Sequence, residues 1–383
     1  MKKIVFISAH DYVAKRQGGF HVFAKNLSEY FDVVFFSYPR SSFIKMRKQS
    51  PIEYKNISFF KDRDETIGKV RNVSRLFFIP PVKVLKYIPK VIHKRFFWLT
   101  FPSFSGFCNR YFDGVDYFMF ESNASVLLYD FLKTKYPTAK FLYRPSDPML
   151  NSPDLAFFHQ YEINYVKNCD FVFAVNQLGV DLYKSRIPDF SEKHFEIISN
   201  GIDLSAYNQM YERPAEFADC KNIVSYVGAR GVEWNLLVKV AENLKDCSFF
   251  IVCPESPNKI FQNAIGKLPN LHYIQGIPPQ RVPQFVKNSD VIIVPNPTGM
   301  YKKYPWGITA KYYQAMYSQK PVVAYSDNDS LKKYGISVTH TYEDFIEAVK
   351  QAITKGSIVY DFNFIEKDWK TLSERMKEII LSL

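Results

Sequence analysis

The chain has 383 residues, enough for two domains at roughly 100–200 residues each. Hydrophobic residues make up 47% and charged residues 23%, which excludes a disordered chain. The net charge of +12 is unevenly placed: residues 1–113 hold 21 Lys/Arg against 8 Asp/Glu, so an anionic partner (membrane, nucleic acid or phosphorylated substrate) is expected on the N-terminal third.

MKKIVFISAH opens like a signal peptide, but its apolar run ends at Ile7 and reads as a first strand. A helix over 19–31 and a strand over 33–36 follow. Residues 40–113 are basic and aromatic, with prolines at 80, 81, 89 and 102 that interrupt any pattern. Strands are then predicted over 117–120, 140–143, 171–175 and 195–198, alternating with helices over 124–135, 155–167 and 178–184. The pattern restarts with strands over 223–227, 249–252, 271–274, 291–294 and 322–324, and helices over 234–244, 282–287, 309–317, 342–353 and 366–381. Short buried strands alternating with amphipathic helices predict an α/β fold of two doubly wound domains facing each other across a cleft. The expected boundaries are 1–203, a polar linker 204–219, a second domain 220–360, and a terminal helix in 361–383 that could pack back on the first domain.

Five scattered cysteines without a C-x-x-C pair indicate neither zinc nor a disulfide framework and fit a reducing cytoplasm. No run of about 18 apolar residues predicts a membrane span. The G-x-G-x-x-G fingerprint is missing after the first strand, which disfavours a dinucleotide oxidoreductase. With aromatics at 17%, part of the Phe and Tyr is expected to serve as surface contact area.

The stretch from Tyr304 to Tyr325, YPWGITAKYYQAMYSQKPVVAY, carries the most chemistry. A loop leads into a helix whose N-terminus offers N–H groups to an anion. Lys311 in its first turn could pair with a diphosphate, and Gln314 on the same face could bond ribose hydroxyls; both could equally face solvent. Arg144 and Glu121, at predicted strand ends, fit either a ligand contact or a structural ion pair, and His10–Asp11 at the end of the first strand either an orienting pair or a plain loop. The basic run with Lys86, Lys90, Lys94, Arg95 and Trp98 suits an interfacial segment on anionic lipid, with an ordinary solvated helix as the alternative. No nucleic-acid motif accompanies it.

The helix with its Lys-Pro-Val-Val-Ala strand, the turn Ser199–Asp203 and the loop at Val227–Gly228 together resemble GT-B glycosyltransferases. More closely, the segments Ser8–Tyr12, Phe120–Ser122, Tyr143–Asp147 and Ala310–Gln314 resemble the glycosyltransferase family of the xanthan glucuronosyltransferase GumK, family 70. That resemblance implies an inverting, metal-independent enzyme using UDP-glucuronate and a polyprenyl-diphosphate-linked saccharide acceptor, peripheral on the inner face of the plasma membrane. It implies Asp147 as general base, with Asp11 as the alternative; Ser146–Asp147 before Pro148 could also simply start a turn. On the donor side it points to Gly228, Ala229, Ala310, Lys311 and Gln314. Ala310, Ala229 and Ile277–Pro278 depart from the family's Met, Met and Glu-Met, which leaves the donor sugar open. The Glu-x7-Glu pair of many retaining enzymes would fall on Trp306 and Gln314, neither acidic, so inversion is expected. A hexosyltransferase of capsule or lipopolysaccharide synthesis, or a non-catalytic nucleotide-sugar or lipid-binding module, are the alternatives.

Overall fold

The structure, a computed structural model, describes residues 1–14, 17–37, 57, 61–77, 103–297, 299 and 308–383. It divides into two units, Met1–Ser199 with Trp369–Leu383, and Asn200–Asp368.

The first unit is built on eight strands: β1 (Lys3–Ser8), β2 (Asp32–Ser37), β3 (Arg63–Ile67), β4 (Val70–Ser74), β5 (Val115–Glu121), β6 (Lys140–Arg144), β7 (Phe171–Ala174) and β8 (Phe195–Ile197). They lie in the order β3-β4-β2-β1-β5-β6-β7-β8, every pairing parallel except β3 with β4. Alternation along each strand makes two cores. Ile4, Phe6, Val33 and Phe35 join the helices Gly19–Leu27 and Trp369–Ser382 on one face. Val5, Ile7, Val34 and Phe36 face the helices Phe104–Tyr111, Tyr129–Lys135, Ala156–Asn168 and Gln177–Arg186 on the other. Strands covered on both faces read as unbroken apolar runs, which is why they stand out in the sequence.

Many of the aromatic rings lie inside this unit. Phe36 meets Phe107 at 5.1 Å, Phe118 meets Phe141 at 5.1 Å, and Tyr143 meets Tyr165 at 5.1 Å, separations at which ring pairs add to plain burial. The hairpin β3–β4 was hidden in the unread basic stretch. Its turn uses Gly68 at φ 61, and its charged outer strand is an edge that resists pairing with another chain.

The second unit has β9 (Ile223–Val227), β10 (Ser248–Val252), β11 (Leu271–Ile274), β12 (Val291–Pro295), β13 (Val322–Tyr325) and β14 (Ser337–Thr339), all parallel, in the order β11-β10-β9-β12-β13-β14. The helices Trp234–Asn243, Lys259–Ile265 and Tyr342–Lys355 pack on one face, and Val282–Asn288 and Ala310–Tyr317 on the other. The stretch 204–219 is not a bare linker: it holds the helix Leu204–Asn208, capped by Asp203, within the second unit. Residues up to Asp368 stay there too, because Ile202 N–H donates to Lys367 O at 2.8 Å and Leu204 N–H to Asp368 Oδ1 at 3.3 Å. The last helix, Trp369–Ser382, belongs to the first unit. Leu372, Met376 and Ile380, spaced by four, enter its core, and Asn26 Nδ2 donates to Ser373 Oγ at 3.1 Å.

Candidate functional site

In an open parallel sheet, ligands are met beyond the carboxyl ends of the strands, where the strand order reverses. In the first unit that point lies between β1 and β5, and the residues singled out from the sequence gather around it. Ser8 Oγ donates to Glu121 Oε2 at 2.5 Å, and Ser146 Oγ donates to Glu121 Oε1 at 2.9 Å. Glu121 is in register with Arg144, and both are buried. The Arg144 guanidinium lies 4.7 Å from the Phe23 ring centroid; burial pulls it down to about 10, with the charge of Glu121 opposing. It remains a cation at neutral pH, enclosed rather than displayed.

Asp147 is exposed, just beyond β6, and its N–H donates to Ser122 Oγ at 3.3 Å. It does not cap the short turn Met149–Asn151: Pro148 occupies the cap position, and the Met149 and Leu150 N–H groups donate to Glu162. Asp11 is differently situated. Its carboxylate is ion-paired with buried Arg63, one oxygen accepts the Val13 N–H at 3.0 Å, and its carbonyl accepts from His21 Nε2 at 3.0 Å. Desolvation lowers the His21 pKa, against its bond to Asp11, so the ring is neutral at neutral pH; accepting from Gly18 N–H at Nδ1 assigns the proton to Nε2. His10 is exposed, and its N–H donates to Ser8 Oγ at 3.0 Å.

The second unit's reversal lies between β9 and β12. Beyond β9, Gly228 N–H donates to Val252 O at 3.1 Å. A methyl at Gly228 would overlap the hydroxyl end of Tyr226, so only glycine lets this loop close over that ring. Tyr226 OH donates to Arg230 O at 2.9 Å, and Gly231, at φ 76, donates its N–H to Glu255 Oε2 at 2.7 Å. Lys311, in the first turn of Ala310–Tyr317, donates to Tyr226 Oη at 3.4 Å and lies 5.0 Å from that ring's centroid. Lys311 is therefore not a solvated surface lysine. Desolvation pulls its ammonium down to about 8, opposed by Cys253 and reinforced by Arg230. The cap residue Thr309 makes no side-chain capping bond among the described residues, and the helix start carries the positive end of its dipole. Gln314 is half-buried one turn on, Ala310 is partly buried, and Ala229 is exposed.

Sequence reasoning missed Arg63, His21, Tyr226, Glu255 and Glu162. Only Tyr226 left a trace, as a polar-tipped ring two residues before the loop glycine. Lys86, Lys90, Lys94, Arg95, Trp98 and Trp306 lie outside the described residues. Among the described residues no three His, Cys, Asp or Glu side chains assemble as a metal site, and no helix is long and apolar enough to cross a membrane.

Residues 6–175 match the family model of the glucuronosyltransferase GumK N-terminal domain. Comparison with curated proteins finds no match. Among solved structures, an α,α-trehalose 6-phosphate synthase from Burkholderia multivorans is similar at 10% identity, covering 100% of this chain and 99% of that one, with a TM-score of 0.64. Anabaena HepE in complex with UDP and glucose is similar at 14% identity, 100% coverage of both chains and a TM-score of 0.54. A UDP-GlcNAc 2-epimerase from Methanocaldococcus jannaschii is similar at 10% identity, 100% coverage of both and a TM-score of 0.56. Residues 6–175 are thus similar to a GumK N-terminal domain, and the chain's two parallel doubly wound units have the GT-B fold.

Proposed function

We propose that this protein is an inverting glycosyltransferase that moves glucuronic acid from UDP-glucuronate to a polyprenyl-diphosphate-linked saccharide. The observation that carries the reading is a GumK-type domain whose Asp147 stands exposed immediately beyond β6, next to the point where the strand order reverses. Fold alone does not select a reaction, since synthases and an epimerase share it; the site has to do so. In this reading the acceptor hydroxyl passes its proton to Asp147 as its oxygen attacks the anomeric carbon. The bond from that carbon to the diphosphate breaks on the opposite face, and UDP departs with the electron pair. Lys311 and the helix start behind it neutralise the charge that develops there, a role assigned to them rather than to a divalent cation. Asp11, whose carboxylate is ion-paired with Arg63, is the alternative base.

A melting-temperature screen tests the donor assignment. UDP and UDP-glucuronate should stabilise the protein without magnesium, by about 2.7 kcal/mol at 100 times the dissociation constant. No response to any uridine or guanosine nucleotide would remove the donor site, and a preference for GDP would reject the UDP-sugar.

The lipid-linked acceptor puts the enzyme at the cytoplasmic face of the plasma membrane, with Lys86, Lys90, Lys94, Arg95 and Trp98 as its contact to anionic lipid. In support, the residues flanking that stretch are joined: Arg75 Nη1 donates to Ser103 O at 2.8 Å, and Phe77 meets Phe104 at 5.6 Å. Reversing the four charges should release the protein from anionic vesicles, at about 1 kcal/mol per residue, and high salt should do the same. Undiminished binding of the variant would place the contact elsewhere.

A further inference from the structure

Glu162 has no part in the chemistry above, yet it is the most enclosed carboxylate among the described residues of the first unit, with no exposed surface. It comes from the middle of the helix Ala156–Asn168, which packs beneath the ends of the strands. Its Oε1 accepts from Tyr143 OH at 2.7 Å, Tyr183 OH at 2.8 Å and Met149 N–H at 3.2 Å, and its Oε2 accepts from Leu150 N–H at 2.9 Å. Desolvation raises its pKa and the four donors oppose this. An enclosed carboxylate is costly unless it is fully bonded, and main-chain N–H groups can only donate, so an acceptor on both oxygens is what this pocket requires.

The placement of the donors is telling. Tyr143 immediately precedes Arg144, and Met149 and Leu150 immediately follow Asp147–Pro148. The two flanks of the exposed turn are therefore tied to one carboxylate, while the turn is held from its other side by Ser146 on Glu121 and by Asp147 N–H on Ser122. We propose that Glu162 is the positioning residue of the base: by clamping residues 143 and 149–150 together it sets where the Asp147 carboxylate stands. This rests on the reading of Asp147 as base. Glu162 itself is too enclosed to touch substrate, so it acts through the turn alone.

Two variants test it. Glu162→Gln keeps the volume but turns an amide N–H₂ toward N–H donors. Tyr183→Phe removes one bond to Glu162 from a separate helix, Gln177–Arg186, without altering the turn's own residues, and carries the test if the first variant fails to fold. Amide hydrogen exchange at Met149 and Leu150, melting temperature, and UDP release from UDP-glucuronate with a membrane-lipid extract as acceptor are measured, each variant alone and combined with Asp147→Asn. The expected result is faster exchange at those two amides and a kcat lowered about 10- to 100-fold by Glu162→Gln, as for a small misplacement of a reacting group. Tyr183→Phe should lower it about 3- to 10-fold, the loss of one hydrogen bond. The donor KM should stay unchanged, and neither variant should slow Asp147→Asn further, because all three changes act on one group. A folded Glu162→Gln with parental kcat, or an equal loss in the Asp147→Asn background, would overturn the proposal and leave Glu162 as core packing. Parental turnover in Asp147→Asn alone would instead remove the base reading, and the positioning role with it.

Discussion

Asp147→Asn should lower turnover by about 10²–10⁴-fold, the contribution of a positioned general base, with UDP affinity and folding nearly unchanged. Asparagine has the size of aspartate but cannot take the acceptor's proton. The contact to Ser122 is made by the main-chain N–H and survives the change, and the Met149 and Leu150 N–H groups are held by Glu162. The proposed donor residues are on the other unit, so UDP should still raise the melting temperature. Asp11→Asn is the matched comparison, and it should fail in a different way. It removes one of the two carboxylates beside buried Arg63 and leaves the longer pair with Glu65 at 3.6 Å, so a loss should appear in melting temperature first. An active Asp147→Asn beside a folded but inactive Asp11→Asn would move the base to Asp11.

Lys311→Met should make the nucleotide-free protein more stable while removing most of its UDP affinity. The ammonium sits at about 8 against an ordinary 10.5 because its surroundings disfavour charge. Below pH 8 both folded and unfolded chains are protonated there, and the folded one carries the penalty, on the order of 3 kcal/mol. Between about 8 and 10.5 the unfolded chain holds the proton and the folded one does not, so this contribution to stability improves as pH rises. The variant's advantage in melting temperature should therefore be largest near pH 7 and shrink toward pH 10. UDP affinity should show the opposite dependence, falling in the parent above about pH 8 as the ammonium is lost. At pH 7 the variant should lose about 1.5–3 kcal/mol of UDP binding, one charge-assisted contact. A destabilised variant with parental UDP affinity would show that Lys311 serves the fold and not the ligand.

What the sequence revealed and what it hid follow one physical divide. Parallel strands such as β1, β5 and β12 are covered on both faces, so KIVFIS, VDYFMFE and VIIVP announce themselves. The hairpin RDETI–VRNVS is half charged and lies at an edge, β14 has three residues, and the helix Lys259–Ile265 is a short KIFQNAI; none has a long enough pattern to read. The site divides likewise. Gly228, Lys311 and Asp147, the proposed site residues, stand in local motifs. Arg63 pairs with Asp11 across 52 positions, and Glu162 reads in sequence as one more polar residue on a helix that in fact turns it inward. Tyr226 sits inside a predicted strand and is core, with its hydroxyl reaching Arg230 and Lys311. The domain boundaries shifted because the segment before the last helix is bonded to residues 202–204, a pairing no local signal records.

The central claim is a transfer with inversion, and the anomeric configuration of the product tests it most directly. The protein is supplied with UDP-glucuronate, whose sugar is α-linked, and a membrane-lipid extract, and the glycolipid formed is analysed by proton NMR. The expected result is a β-linked sugar in the lipid fraction, formed by the parent and reduced at least about 100-fold in Asp147→Asn. An α-linked product, or formation of the glycolipid at the parental rate without the Asp147 carboxylate, would contradict it.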